Sequence, residues 1–184
     1  MQLYLFNCYA PHFQKITQMK VDEKLIPELR EFRKLNNADF SIEDWISYEG
    51  NIKLTIAYSV LFWPNFIEYD GCVILENRFA AENFENWTNT EYVKSYAQIE
   101  SVLNHFHILD FWGTDQKRDE VTYDQIVYLG NKLCEIYSAK LKVEFPEKQF
   151  TFSFNGNKKL EAYDEYEITF YQEENLNRKT KYVT

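Results

Sequence analysis

The stretch NIKLTIAYSVLFWPNFIEYDGCVILE, residues 51–76, decides how the rest of the chain is read. It is the most apolar run in the sequence, and its periodicity changes at Trp63-Pro64. Before the proline, Ile52, Ile56, Val60 and Trp63 recur at helical spacing, which predicts an inward-facing stripe on a helix near residues 52–62. Pro64 disfavours helical geometry at Trp63 and fixes the exit. Beyond it, Phe66 to Tyr69 and Cys72 to Leu75 have the length of short strands. Asp70-Gly71 between them is a two-residue hairpin signal, because both residues tolerate positive φ. A buried helix and a hairpin are thus expected at the centre of one core, with Glu68 the polar residue that stands out.

Toward the N-terminus, Leu3 to Tyr9 fits an extended segment or a helix equally well. Pro27 suits the first turn of a helix that places Leu25, Leu29 and Phe32 on one side. Ser41-x-x-Asp44 predicts the cap of a short helix carrying Trp45 and Ile46, ended by Gly50-Asn51. Toward the C-terminus, Thr88-x-x-Glu91 and Thr122-x-x-Gln125 both fit the capping box. They predict long helices from Asn89 toward Leu109 and from Tyr123 toward Val143. Tyr92, Tyr96, Ile99, Leu103 and Phe106 face inward on the first, and Ile126, Leu129, Leu133, Ile136, Tyr137 and Leu141 on the second. Gly130 costs the second helix about 1 kcal/mol relative to alanine and suggests the close approach of another element. Phe145-Pro146 ends it.

From Phe150 the period becomes two: Phe150, Phe152 and Phe154, then Tyr166, Ile168 and Phe170, alternate with polar residues. This is the pattern of an antiparallel hairpin with one buried face and a long polar connection. The fold expected is α+β, an antiparallel sheet of about four strands in two hairpins packed against two long and several short helices. One domain spans residues 1–172, and residues 173–184 form a charged, mobile tail.

Composition narrows the function classes. The 184 residues are 45% hydrophobic and 18% aromatic, enough for a self-sufficient core and incompatible with intrinsic disorder. A net charge of -9 opposes non-specific attraction to nucleic acid or an anionic membrane and favours a basic partner. Cys8, Cys72 and Cys134 are an odd set without paired spacing, as expected of reduced core thiols. The N-terminus lacks the features of a signal peptide, and the apolar run Leu54 to Phe62 is far shorter than the about 20 residues of a membrane helix. A cytoplasmic protein without a membrane segment is expected. No phosphate-cradling glycine motif, nucleophile elbow, C-x-x-C pair or EF-hand loop occurs, so no cofactor is expected.

Four segments carry a resemblance: Trp63-Pro64-Asn65-Phe66-Ile67-Glu68 with Cys72, Asn104-His105-Phe106-His107-Ile108-Leu109-Asp110, Phe145-Pro146 with Phe150, and Thr169-Phe170-Tyr171-Gln172. In these the chain resembles a group of uncharacterised small bacterial proteins with W-P-x-F-x-E, N-H-x-H-x-x-D and T-F-Y-Q segments. That resemblance spans about residues 51 to 172, implies a single domain and brings no activity with it. In size and acidity the chain is also similar to immunity proteins of bacterial toxin systems.

Chemistry-bearing residues concentrate at Glu100, Asn104, His105, His107 and Asp110. Two imidazoles and two carboxylates suit zinc or iron ligation or acid–base work. On a continuous helix, His105 and His107 point about 200° apart and share no metal, leaving the stripe Glu100, Asn104, His107 and Asp110. Only an early helix end, with residues 105–109 extended, turns both imidazoles the same way. The acid–base candidates are therefore Glu100, His107 and Asp110, with Glu68 beside the turn, and the metal candidates are His105, His107 and Asp110. The competing readings are a hydrogen-bonded, half-buried His107 and a solvent-facing Glu68. The acidic residues Glu161, Asp164, Glu165, Glu167, Glu173 and Glu174 form either a solvated edge or a docking surface for a basic protein.

Acidity and the missing cofactor motifs favour a non-catalytic protein-binding protein, most concretely an immunity protein neutralising a basic toxin. The alternatives are a metal-dependent or acid–base enzyme using Glu100, His107 and Asp110, and a structural subunit of a larger assembly with exposed aromatics at its interface.

Overall fold

The computed structural model describes residues 21–36, 39–111 and 121–181. Leu3 to Tyr9, Cys8 and His12 lie outside them. Where one domain over residues 1–172 is expected from sequence, the chain divides into two compact units, Met1–Trp45 and Ile46–Thr184.

In the first unit, Pro27 occupies the first position of α1 (Pro27–Leu35), where its missing N–H costs nothing. Leu29 is the buried residue of this helix, and Phe32 stacks on Phe40 with ring centroids 5.7 Å apart. Helix α2 (Ile42–Glu49) begins on the expected reciprocal cap. The Ser41 N–H donates to the Asp44 carboxylate at 2.8 Å, and the Asp44 N–H donates to the Ser41 hydroxyl at 3.1 Å. These bonds hold the Asp44 carboxyl below its ordinary range.

In the second unit, the Asn51 side-chain oxygen accepts the N–H groups of Lys53 and Leu54 and starts α3 (Ile52–Phe62). The helix stops at Trp63, before Pro64. Strands β1 (Phe66–Tyr69) and β2 (Cys72–Leu75) pair antiparallel from Phe66↔Leu75 to Tyr69↔Cys72. Asp70 at φ 45° and Gly71 at φ 70° make the expected turn. Then come α4 (Ala81–Thr88), α5 (Tyr96–Leu103), the two-residue β3 (Phe106–His107), α6 (Tyr123–Glu144), β4 (Phe150–Phe154) and β5 (Glu167–Gln172). Thr122 and Gln125 form the full capping box of α6.

The fold is α+β. Among the described residues, its strands lie in two antiparallel sheets, β1-β2 and β3-β5-β4, with β5 in the middle of the second. β2 is buried on both sides, which explains its unbroken apolar run Cys72-Val73-Ile74-Leu75. Val73 and Leu75 join Phe106, Leu133, Tyr137, Ile168 and Phe170 in the larger core, while Cys72 and Ile74 join Phe84, Val93, Ile99 and Leu103 in the smaller.

Three expectations need correction. The helix expected from Asn89 to Leu109 is shorter at both ends. Thr88 closes α4 instead of capping α5: its hydroxyl and the Asn89 side chain both donate to the Glu85 carbonyl at 2.8 Å. These short polar side chains serve a helix C-terminus here, Tyr92 is exposed, and α5 begins only at Tyr96. α3 has its expected bounds, but Ile52, Ile56, Val60 and Trp63 are 73%, 64%, 63% and 54% exposed, while Leu61 is buried. Leu54, Leu61 and Phe62 make the helix apolar nearly all round, so spacing alone does not select its inward face. The tail read as mobile is fastened as far as Thr180. That residue is buried, donates from its hydroxyl to the Val93 carbonyl at 2.7 Å and from its N–H to the Lys94 carbonyl at 3.3 Å.

Among the described residues, no helix is long and apolar enough to cross a membrane.

Candidate functional site

α5 ends early. The Asn104 N–H donates to the Glu100 carbonyl at 2.8 Å, and the chain then leaves the helix to run extended through Phe106 and His107. Residues two apart in an extended segment share a face, so both imidazoles turn the same way. β3 lies against β5 with His107 directly opposite Glu167, which brings a carboxylate to that face. His105 Nε2 and His107 Nε2 are 3.0 Å apart, and Glu167 Oε2 lies 3.5 Å from the first and 3.6 Å from the second. All three side chains are roughly 40% exposed. Without an ion, the imidazoles share one hydrogen bond whose direction depends on their tautomers.

The backbone beneath this face is held. Asp110 Oδ2 accepts the His107 N–H at 3.1 Å and an Arg78 guanidinium N–H at 3.3 Å. The Glu167 N–H donates to the Asn155 side-chain oxygen at 3.1 Å. Asp110 therefore orients the histidine segment, and the carboxylate facing both rings is that of Glu167, not Asp110.

Glu100 is engaged elsewhere, so Glu100, His107 and Asp110 do not assemble into the acid–base set expected. Its carboxylate is fully buried and accepts the Val73 N–H and the Gln172 N–H, each at 2.8 Å, and the Gln172 side-chain amide. One turn on, Asn104 accepts the Leu75 N–H at 2.9 Å and donates to the carbonyls of Val73 and Phe170. The side chains of Glu100 on α5 and of Asn104 at its C-terminal cap thus pair with the free edge of β2 and with the part of β5 beyond β3. They take the place of a missing strand, which is why two hairpins form two sheets joined through a helix. Burial pushes the Glu100 carboxyl up, against the pull of these N–H donors.

Glu68 is exposed and paired with Lys148 at 2.9 Å. Burial raises the Cys72 thiol above its ordinary range and the Cys134 thiol to about 11, so neither is poised as a nucleophile. The six acidic residues do not form one patch. Glu161, Asp164, Glu165 and Glu167 lie before or at the start of β5, and Glu173 and Glu174 lie past its far end, six residues or about 20 Å away. Lys158 and Lys159 are exposed in the same connection as the first group, and Glu173 accepts the Thr151 hydroxyl.

Glu167 is the residue whose place at this site the sequence did not reveal. Its alternation with Ile168 turned it away from the core, but only the β3–β5 register sets it before the histidines.

No protein-family model matches the chain, and neither a curated protein nor a solved structure does.

Proposed function

We propose that this is a non-catalytic protein-binding protein whose charge selects a basic partner, the concrete case being an immunity protein that neutralises a basic toxin. The observation that supports this is α3. Ile52, Ile56 and Val60 recur every four residues along one face of the helix, each is more than half exposed, and Trp63 follows at its end. Contiguous apolar surface of this kind marks interaction sites. Beside it, Val60, Leu61, Pro64, Leu75 and Tyr137 line a cleft of about 240 Å³, of a size to take an anchoring side chain from a partner. The net charge of -9 accelerates encounter with a basic protein and disfavours an acidic one. Glu161, Asp164, Glu165, Glu173 and Glu174 contribute to that field from two separate places, so they serve as a steering charge and not as one docking patch.

The test is survival of cells producing a basic toxin encoded beside the gene, with and without this chain. Growth is restored by the wild-type chain and lost again with Ile56→Asp and Val60→Asp combined, while the variant keeps its fold. Failure of the wild-type chain to protect, together with no binding between the purified proteins at low salt, overturns the reading.

A further inference from the structure

We infer that His105 Nε2, His107 Nε2 and Glu167 Oε2 form a three-ligand site for a divalent transition ion of the zinc class, clipping β3 to the middle strand of its sheet. The argument is metrical and independent of any protein partner. A triangle with sides of 3.0, 3.5 and 3.6 Å has a circumscribed circle of radius about 2.0 Å, so an ion near its centre is about one Zn–N or Zn–O bond length from every corner. One face of a tetrahedral zinc site has edges of about 3.3 Å, close to the mean of these three. The atoms already stand at ligand spacing, and no backbone movement is needed to bring them together.

The donor set narrows the ion. Two imidazoles and one carboxylate suit zinc and its neighbours among the late divalent ions, whereas magnesium and calcium prefer oxygen. The half-exposed face leaves the fourth position to water. The mounting is rigid where a site requires it. His107 is held at its N–H by Asp110 and Glu167 at its N–H by Asn155, so the ligands rest on fixed backbone on both strands. β3 is only two residues long and pairs at just two positions, which makes it the element of the sheet with most to gain from a cross-link.

The same atoms fit a second arrangement, in which the imidazoles share a proton and Glu167 makes only a loose ion pair. Titration with an ion separates the two. The full chain, stripped with EDTA and dialysed, is titrated with Zn²⁺ alone by calorimetry, and with Co²⁺ to read the visible spectrum of a four-coordinate ion. Expected are a saturable site, a rise in melting temperature with Zn²⁺, and affinity at least ~10-fold weaker in each of His105→Asn, His107→Asn and Glu167→Gln, the scale of loss seen when even outer-shell partners of a metal are removed. Glu82→Gln, at an exposed carboxylate on α4, leaves the affinity unchanged. All three ligand changes are at half-exposed side chains, and circular dichroism checks that each variant is folded before its titration is compared. Absence of a saturable site, or a site that survives all three substitutions, overturns the inference.

Discussion

The carboxylate of Glu100 on α5 receives the backbone N–H of Gln172 at the end of β5 at 2.8 Å. Its other oxygen receives the N–H of Val73 on β2, also at 2.8 Å. One buried side chain therefore satisfies strand edges belonging to two different sheets, and a carboxylate suggestive of catalysis is structural. Removing it strands both donors in the core. At about 1–3 kcal/mol for each buried group left unpaired, Glu100→Ala lowers stability by about 3 kcal/mol or more. Glu100→Gln keeps one acceptor oxygen and loses less. Urea denaturation of the two variants measures this, and a shift below about 1 kcal/mol for the alanine variant refutes the bridging role.

The same residue sets a pH dependence. Burial raises the folded carboxyl above its ordinary value of 4.5, so the native state holds that proton more tightly than the unfolded chain does. The contribution is complete below the unfolded value, and it falls as pH rises until the folded carboxyl has ionised. The stability difference between the wild-type chain and Glu100→Gln therefore moves against the wild type as pH rises above the ordinary carboxyl value of 4.5. A difference that moves in its favour over that range shows that the N–H donors outweigh desolvation.

What the sequence made legible was local. Asp70-Gly71 specified its turn, Thr122 and Gln125 specified the start of α6, and Pro64 specified the end of α3, because each signal acts within a few residues. The choice of inward face on α3 was not legible, since apolar residues lie all around it. Nor was the role of Thr88, whose hydroxyl serves the start of a helix or the end of one equally well. The histidine site lay between these cases. Sequence geometry specified the condition for His105 and His107 to converge, an early helix end, but not whether it is met. Glu167 lies sixty residues beyond His107, and only strand register brings it there.

Phe154 tests the packing of α6 on β4. A Cβ placed at Gly130 or at Gly156 would overlap the Phe154 ring, so the ring lies against two glycines. Gly130→Ala gains about 1 kcal/mol of helix propensity. It also overpacks the core, at about 1–3 kcal/mol. The net expectation is a destabilised protein. In a Phe154→Leu background, where the ring is gone, the same substitution becomes neutral or stabilising. A double-mutant cycle on these two positions measures the coupling, and simple additivity removes the contact from the account.

α3 allows its two faces to be separated experimentally. Leu61 is buried in the larger core, and the Leu61 carbonyl accepts the Tyr137 hydroxyl of α6 at 2.9 Å. Truncating Leu61 to alanine removes packed volume at that junction and costs about 2–5 kcal/mol. Ile52 and Ile56 are 73% and 64% exposed on the same helix, and their change to aspartate falls within about 0.5 kcal/mol, as for ordinary surface positions. Chemical denaturation of the single variants gives both numbers. If Ile56→Asp destabilises the isolated protein as much as Leu61→Ala does, that face is packed within the chain and is not free for a partner. If it is silent in stability and abolishes protection against the toxin, α3 meets the two requirements of a docking surface: independence from the fold and necessity for binding.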